Sequence, residues 1–336
     1  MGASVAQGLD FLSGYSQRFV VALGLWPFAS MVLTLPLLAF LYHRDGRLRF
    51  WSAVGAYLCV LYGLALVCFT LYPLPSGDTG LGITYGVQPQ LNLLAFVGDL
   101  RKDGLRAALQ IAFNVVFFVP LGFIVGRALR LRLRWALAIG LAVSLLVETA
   151  QLTGLFFLYP YAYRTFDVDD LVWNTSGALI GWGCAALSQR LVPSAITETP
   201  ADTTRPGFVR RCVAFCLDMT LVTVVTLVLC SVTQLVLTWS GLAEALGIGE
   251  RWTRSVFLGV LLLLEGVVPW RRGGRTFGGD FVRMTCETRE RHGARRVVFY
   301  AVRLVVIALA CTFVPIVPLA LAIFYAAARR MPYDFI

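Results

Sequence analysis

Lysine is almost absent from this chain. Its 336 residues hold one lysine, Lys102, beside 28 arginines. Histidine is nearly as scarce: His43 and His292 are the only two, and both lie in short arginine-rich segments. That leaves no histidine in place for a serine hydrolase of the histidine-dependent kind, a histidine-ligated zinc protease or a membrane phosphatase. Charge of either sign is thin, at 14% of residues, where a soluble domain carries about a quarter. Cysteine is present eight times but not as a disulfide framework. Cys59, Cys68, Cys184, Cys230 and Cys311 sit in apolar stretches. Cys212 and Cys216 are one helical turn apart without the histidine or second pair that a zinc site needs. No metal and no cofactor is therefore expected. The bias of arginine over lysine points to a GC-rich bacterial genome.

What fills the chain instead is apolar sequence, 58% by composition. Stretches nearly or wholly free of charge run over 19–42, 51–72, 107–126, 135–163, 171–189, 219–243, 255–270 and 297–328. Each is long enough, or nearly so, to cross about 30 Å of hydrocarbon as helix. The expected fold is an all-α polytopic membrane bundle of about eight helices, five followed by three. The last stretch contains Pro315 and Pro318, so one tilted helix and two shorter legs are both open there. The first eighteen residues have no basic n-region and no short apolar core, so no cleavable signal peptide is expected.

The net charge of +10 is concentrated in loops, which is not a nucleic-acid footprint. Segments 43–49, 127–134 and 271–296 carry clustered arginines and alternate with acidic or mixed loops. The positive-inside rule then puts these three in the cytoplasm and the N-terminus outside, with loops 73–106 and 154–170 external and 190–211 cytoplasmic. Segment 193–206, "PSAITETPADTTRP", is rich in Pro, Thr and Ser without apolar periodicity and reads as a linker. It divides a membrane domain over 1–192 from a second over 207–336. The expected setting is a bacterial cell membrane, crossed several times.

Polar residues inside the first five apolar stretches form a pattern. Asn114 precedes "FFVPLGF", where Pro120 and Gly122 bend a helix. Ser144, Glu148 and Gln151 share one helical face. In "RTFDVDDLVWNTSGALIGW", Arg164, Asp167, Asp169 and Asp170 lead directly into an apolar helix. Asp170, Asn174, Gly177 and Gly181 fall on one stripe, whose glycines admit a close neighbouring backbone. A carboxylate beside hydrocarbon costs several kcal/mol unless it is paired or wetted. The economical arrangement is one polar pocket where three helices meet near the outer surface, with Arg164 as counter-charge. Asp169 and Asp170 read equally well as caps of the fifth helix.

This set resembles the VanZ-like family, named for a teicoplanin-resistance protein. The residues that carry the resemblance are Asn114, Pro120 and Gly122, then Glu148 and Gln151, then Arg164, Asp167, Asp170, Asn174 and Gly177. Asn92 in "LNLLAF" matches an upstream stretch, with Ala95 where a proline is common. Covering roughly residues 30–190, the resemblance implies an integral membrane protein linked to lower glycopeptide susceptibility. It does not supply a reaction. Glu148, Asp167 and Asp170 are the candidates should there be one.

In the second domain, Arg211 and Asp218 stand seven residues apart on one helix face, close enough in sequence for the arginine to neutralise the acid. Glu265 and Arg303 lie within later apolar stretches, and Asp334 is near the end. Together these pieces resemble the RDD family: Arg211, Ala214 and Asp218 match one motif, Gly274, Thr276 and Gly278 a glycine-rich loop, and Asp334 a terminal aspartate. Gly279 stands where the family often has lysine. The resemblance implies a cation/proton antiporter for some members. The glycine-rich "RRGGRTFGG" suits an anion or lipid phosphate but lacks Walker spacing.

Three readings follow. The outer pocket binds or modifies an envelope component, such as a lipid-linked cell-wall precursor or a glycopeptide. Alternatively Asp218, Glu265 and Arg303 move protons or cations. The third reading is a membrane scaffold without chemistry of its own. In all three the lipid bilayer is the first partner, and binding and turnover fit the residues equally well.

Overall fold

A computed structural model describes residues 2–72, 82–84, 86–162, 164–191, 202–240 and 250–336. Most of the glycine- and proline-rich 73–90 loop, residues 193–201 of the expected linker and the end of the 219–243 stretch lie outside the described residues. The chain forms two compact units. The first comprises Met1–Val32 and Val54–Thr197, the second Leu33–Ala53 and Glu198–Ile336.

The first unit is a helical bundle. It holds the larger part of α1 (Gly2–Asp45), most of α2 (Phe50–Leu71), a short α3 (Ala95–Asp103), α4 (Leu105–Phe123), α5 (Leu133–Leu152) and α6 (Val168–Leu191). Two short strands, β1 (Gly82–Ile83) and β2 (Tyr161–Ala162), pair antiparallel. Pro120 has no amide to donate, which removes one rung of α4. The helix continues into a π-helical turn over Ile124–Ala128. Tyr62 donates its hydroxyl to the Phe117 carbonyl at 2.8 Å, on the turn that Pro120 disturbs.

α6 lies against α4 backbone to backbone. A Cβ at Gly177 would collide with the Val115 carbonyl, and one at Gly181 with that of Val119. The glycine stripe read from the sequence thus serves as the seam with α4. The buried stripe of α5, Ala136, Gly140, Ser144, Glu148 and Gln151, recurs every three or four residues, as one helical face requires. The apolar stretch runs on to residue 163, but α5 ends at Leu152, just before the 154–170 segment read from the sequence as a loop. Gly154, Leu155, Phe156 and Phe157 follow with φ of 58–66°, a left-handed turn that no α-helix can pass through.

The second unit takes the C-terminal part of α1 with α7 (Phe208–Trp239), α8 (Glu250–Arg271), a short α9 (Phe277–Phe281), α10 (Gly293–Thr312) and α11 (Ile316–Ala328). Ala39 and Tyr42 of α1 pack with Val213 and Ala214 of α7 and with Val282 and Met284 after α9. Val222, Val260, Leu261 and Ile307 form a second core. The last apolar stretch takes the two-legged form. α10 and α11 are separated at Phe313–Pro315, and α11 at thirteen residues spans about 20 Å, short of a full crossing. It returns the C-terminus to the start of α7: Tyr325 stacks obliquely on Phe208 with centroids 5.2 Å apart.

Among the described residues six helices are long and apolar enough to cross a membrane: Ser16–Asp45, Phe50–Leu71, Leu105–Ala128, Leu133–Leu152, Phe208–Trp239 and Glu250–Arg271. α6 and α10, of 24 and 20 residues, have the length but carry more charge near their ends. Large side chains stand outward along these helices, Met31 at 73% and Trp51 at 80% exposure among them. In water such a surface would aggregate; against acyl chains it is already solvated. This is a multi-pass helical membrane protein.

Candidate functional site

The polar residues of α4, α5 and α6 converge at the start of α6. Glu148 is buried and its Oε2 accepts from the Asp167 amide at 3.0 Å. Asp170 Oδ1 accepts from Asn114 Nδ2 at 2.6 Å. Asn174 Nδ2 donates to Ser144 Oγ at 2.9 Å, and both side chains are buried. Glu148, Asn114, Asp167, Asp170 and Asn174 therefore occupy one corner, held by short-range bonds from three helices.

Two aspartates hold the local backbone. Asp167 Oδ1 accepts from the Asp169 amide at 3.2 Å, in the first turn of α6, where a carboxylate satisfies a donor that the helix leaves open. Gln90 also reaches this carboxylate through Nε2 at 3.2 Å. Its backbone pairs on both sides, to the Phe166 carbonyl and from the Val168 amide. Asp169 caps a different helix from the one expected. Its Oδ2 accepts from the Phe96 amide at 2.9 Å and so ties down the beginning of α3. The Phe96 ring meets Trp173 edge-on at 5.4 Å, clamping the same junction.

Three residues assigned to this pocket from the sequence lie differently. Gln151 turns from the same face of α5 to the end of α2, where Nε2 donates to the Thr70 carbonyl at 2.8 Å. Asn92 is exposed, and its Oδ1 accepts from the Leu94 amide in a local turn. Arg164 is exposed as well. Its charge acts on Glu148 and Asp170, but among the described residues it makes no ion pair with either.

Docking α3 here forms an open cavity of about 400 Å³. Its acidic wall is Asp99, Asp103, Asp167, Asp169 and Asp170, and among the described residues Arg106 is the one basic residue lining it. Burial, then the nearby charges of Asp169 and Asp99, holds the Asp167 carboxyl above the usual aspartate range. Asp99 and Asp103 escaped the sequence reading. Their four-residue spacing on one face, with Phe96 a turn before, was the available signal. Among the described residues no group of three metal-ligating side chains is arranged to hold an ion.

The second unit holds its charges in another way. Arg303 donates to Glu265 Oε2 at 2.5 Å and to the Glu265 carbonyl at 2.7 Å, with both side chains buried. Arg211 pairs with Asp334 at 2.8 Å, also buried. The expected pairing of Arg211 with Asp218 is not made. Seven residues of helix separate them by about 10.5 Å along the axis, and Arg211 also points back to the Pro206 carbonyl. Asp218 Oδ1 instead accepts from the Gly278 amide at 2.6 Å. A Cβ at Gly278 would collide with the Ala214 carbonyl, so only glycine lets α9 come this close. The Gly279 amide goes to Thr276 Oγ1 at 2.9 Å. The amides of Gly274, Gly278 and Gly279 are thus taken up within the fold. Asp218, Glu265, Arg303 and Cys286 line a cavity of about 130 Å³. Glu265 Oε1 is buried without a hydrogen-bond partner.

With this geometry in hand, the comparison with protein families is specific. Residues 59–189 match the VanZ/LLP1 family, and residues 205–336 match the RDD family. The chain carries a VanZ-like domain and then an RDD domain. The acidic cavity is built almost entirely from the VanZ-like match, with Gln90, Phe96, Asp99 and Asp103 inside it. The buried ion pairs Arg211–Asp334 and Glu265–Arg303 belong to the RDD domain. No curated protein and no solved structure matches the chain.

Proposed function

We propose that the VanZ-like domain binds a cell-envelope component or a glycopeptide in the acidic cavity beside α3, on the outer face of a bacterial membrane, and lowers susceptibility to glycopeptides such as teicoplanin. The observation that carries the reading is the imbalance of the cavity wall: five aspartates against Arg106 alone. A concave surface of this sign favours groups that bring positive charge and N–H or O–H donors. The ammonium of a cell-wall stem peptide, an amino sugar and the amine of a glycopeptide all qualify. A phosphate does not. The sugar and peptide part of a lipid-linked precursor therefore suits the cavity better than its pyrophosphate. The outer location rests on the arginine-rich loops lying at the opposite ends of these helices.

Glu148, Asp167 and Asp170 each have one oxygen engaged in holding the 164–170 segment. They act in this reading as positioning groups, with Asp99 and Asp103 presenting open charge. The test is teicoplanin susceptibility of a sensitive Gram-positive host expressing the chain at equal membrane levels. Wild type is expected to protect, and Asp99→Asn/Asp103→Asn and Glu148→Gln to lose protection. Protection that survives both variants would contradict the reading.

A second reading belongs to the RDD domain. The unpartnered Glu265 oxygen and Asp218, both buried, share a cavity with Arg303, an arrangement that suits proton or cation exchange. Cation-driven proton flux in proteoliposomes, abolished by Asp218→Asn, is its expected result; flux equal to that of empty vesicles would remove it.

A further inference from the structure

The RDD domain has a second concavity, beside the one that holds Asp218 and Glu265, of about 310 Å³. It lies where the start of α7 meets the end of α11. Arg205, Arg211, Arg289, Arg329 and Arg330 line it, and among the described residues Asp334 is the only acid that does. That aspartate is already paired with Arg211 at 2.8 Å, so the cavity keeps a surplus of positive charge. Among the described residues the side chains of Arg205, Arg289, Arg329 and Arg330 form no ion pair, and all four are exposed.

Two further features have the same sign. The 32-residue α7 begins in the wall of this cavity at Gly207, which offers no side chain to cap the first turn. The amides and dipole of that end favour an anion. The apolar rings of Phe208 and Tyr325 lie together beside it, and the Tyr325 hydroxyl faces the Pro206 carbonyl. Arginine forks match tetrahedral oxyanions geometrically as well as by charge.

We propose that this arginine-lined cavity binds a phosphate group, presented by an anionic lipid headgroup or as free phosphate. Five arginines spread over a flat loop would give only diffuse attraction to a negative membrane. Here segments 205–211, 288–289 and 329–330 converge from three parts of the chain on one concave site. The site needs neither the acidic cavity of the VanZ-like domain nor ion exchange at Glu265.

The test uses the full chain in nanodiscs of phosphatidylcholine. The shift of its thermal unfolding midpoint is followed on adding inorganic phosphate and, separately, on replacing part of the lipid with phosphatidic acid. Arg289→Gln/Arg330→Gln is compared with Arg132→Gln/Arg134→Gln, which removes the same charge from an exposed segment of the other unit. Wild type and the second variant are expected to be stabilised, with the first needing roughly tenfold more ligand, or more, for the same shift. Stabilisation by both ligands means a general phosphate site. Phosphatidic acid alone identifies a lipid headgroup, and inorganic phosphate alone a soluble ligand. If the double variant does not fold, Arg330→Gln is read by the same roughly tenfold criterion. Equal responses of the two variants, or no response of wild type to either ligand, would overturn the proposal.

Discussion

The VanZ-like and RDD domains both place carboxylates in apolar surroundings, and they resolve the cost in opposite ways. In the RDD domain Glu265 and Asp334 are buried against Arg303 and Arg211, and Asp218 is closed off by the Gly278 amide. Each of these three acids has a donor, an arginine for two of them, although one oxygen each of Glu265 and Asp334 stays unpartnered, and the ion pairs cross between distant parts of the chain. In the VanZ-like domain Asp167, Asp169 and Asp170 receive only neutral amide donors, and Asp99 and Asp103 stand open beside them. Charge is left over at that cavity. Buried pairs hold a fold together once they exist, whereas a cluster of unneutralised acids is a standing cost that a ligand can relieve. On the function proposed above, the two units put the same residue type to structural and to ligand-directed use.

The comparison can be broken most easily at Arg303. Replacing it with alanine leaves Glu265 charged and unpaired in the interior, an effect of about 3–5 kcal/mol. The expected outcome is loss of folded protein in detergent, seen as a collapsed thermal transition. Retention of wild-type stability would mean that the pair is not the strut described here. Next in size is the seam between α4 and α6. Gly181→Val forces a side chain into the Val119 carbonyl, and about 3 kcal/mol of destabilisation is expected, again read from thermal unfolding. Asn174→Ala removes the single bond to Ser144 and should cost about 1 kcal/mol, small enough that a folded protein remains for binding assays.

The smallest effect sharpens the contrast by pH. Burial and the neighbouring carboxylates raise the Asp167 carboxyl above its ordinary value, so the folded state holds that proton more tightly than the unfolded chain. The stabilising contribution of the proton is complete below the ordinary aspartate range and is lost as pH rises through the raised value. Asp167→Asn keeps an acceptor for the Asp169 amide but cannot ionise. It should therefore be slightly more stable than wild type at neutral pH, with the gain fading in acid. Thermal unfolding at several pH values checks this; a gain independent of pH would place the cause elsewhere.

Much of this was legible in the chain itself. Amides and acids inside apolar runs are costly enough to stand out, and Asn114, Glu148, Asp167, Asp170 and Asn174 do meet at one corner. The glycines at 177 and 181 announced a close neighbour, though not that it would be α4. Asp99 and Asp103 were hidden because they lie in a segment of ordinary charge density, where an acid costs nothing in isolation. Their meaning comes from the docking of α3 through Asp169 and Trp173. The partner of Arg211 was equally out of reach. Nearness in sequence suggested Asp218, but two turns of helix hold them apart, and Asp334 arrives only through the turn at Phe313–Pro315. A loop from residue 154 was expected, but not its left-handed course through Gly154–Phe157, since these residues are as apolar as the helix they end.

The claim that the surplus acid of the VanZ-like cavity is there to meet a ligand is most directly tested by binding. The purified full chain would be titrated with a soluble disaccharide-pentapeptide fragment of cell wall carrying a free lysine amine, and with the same fragment acetylated on that amine. Saturable binding is expected for wild type, and for Asp218→Asn in the RDD domain. It should weaken by roughly tenfold or more on acetylation, and equally for Asp99→Asn/Asp103→Asn. Binding indifferent to both the amine and the two aspartates would contradict the account.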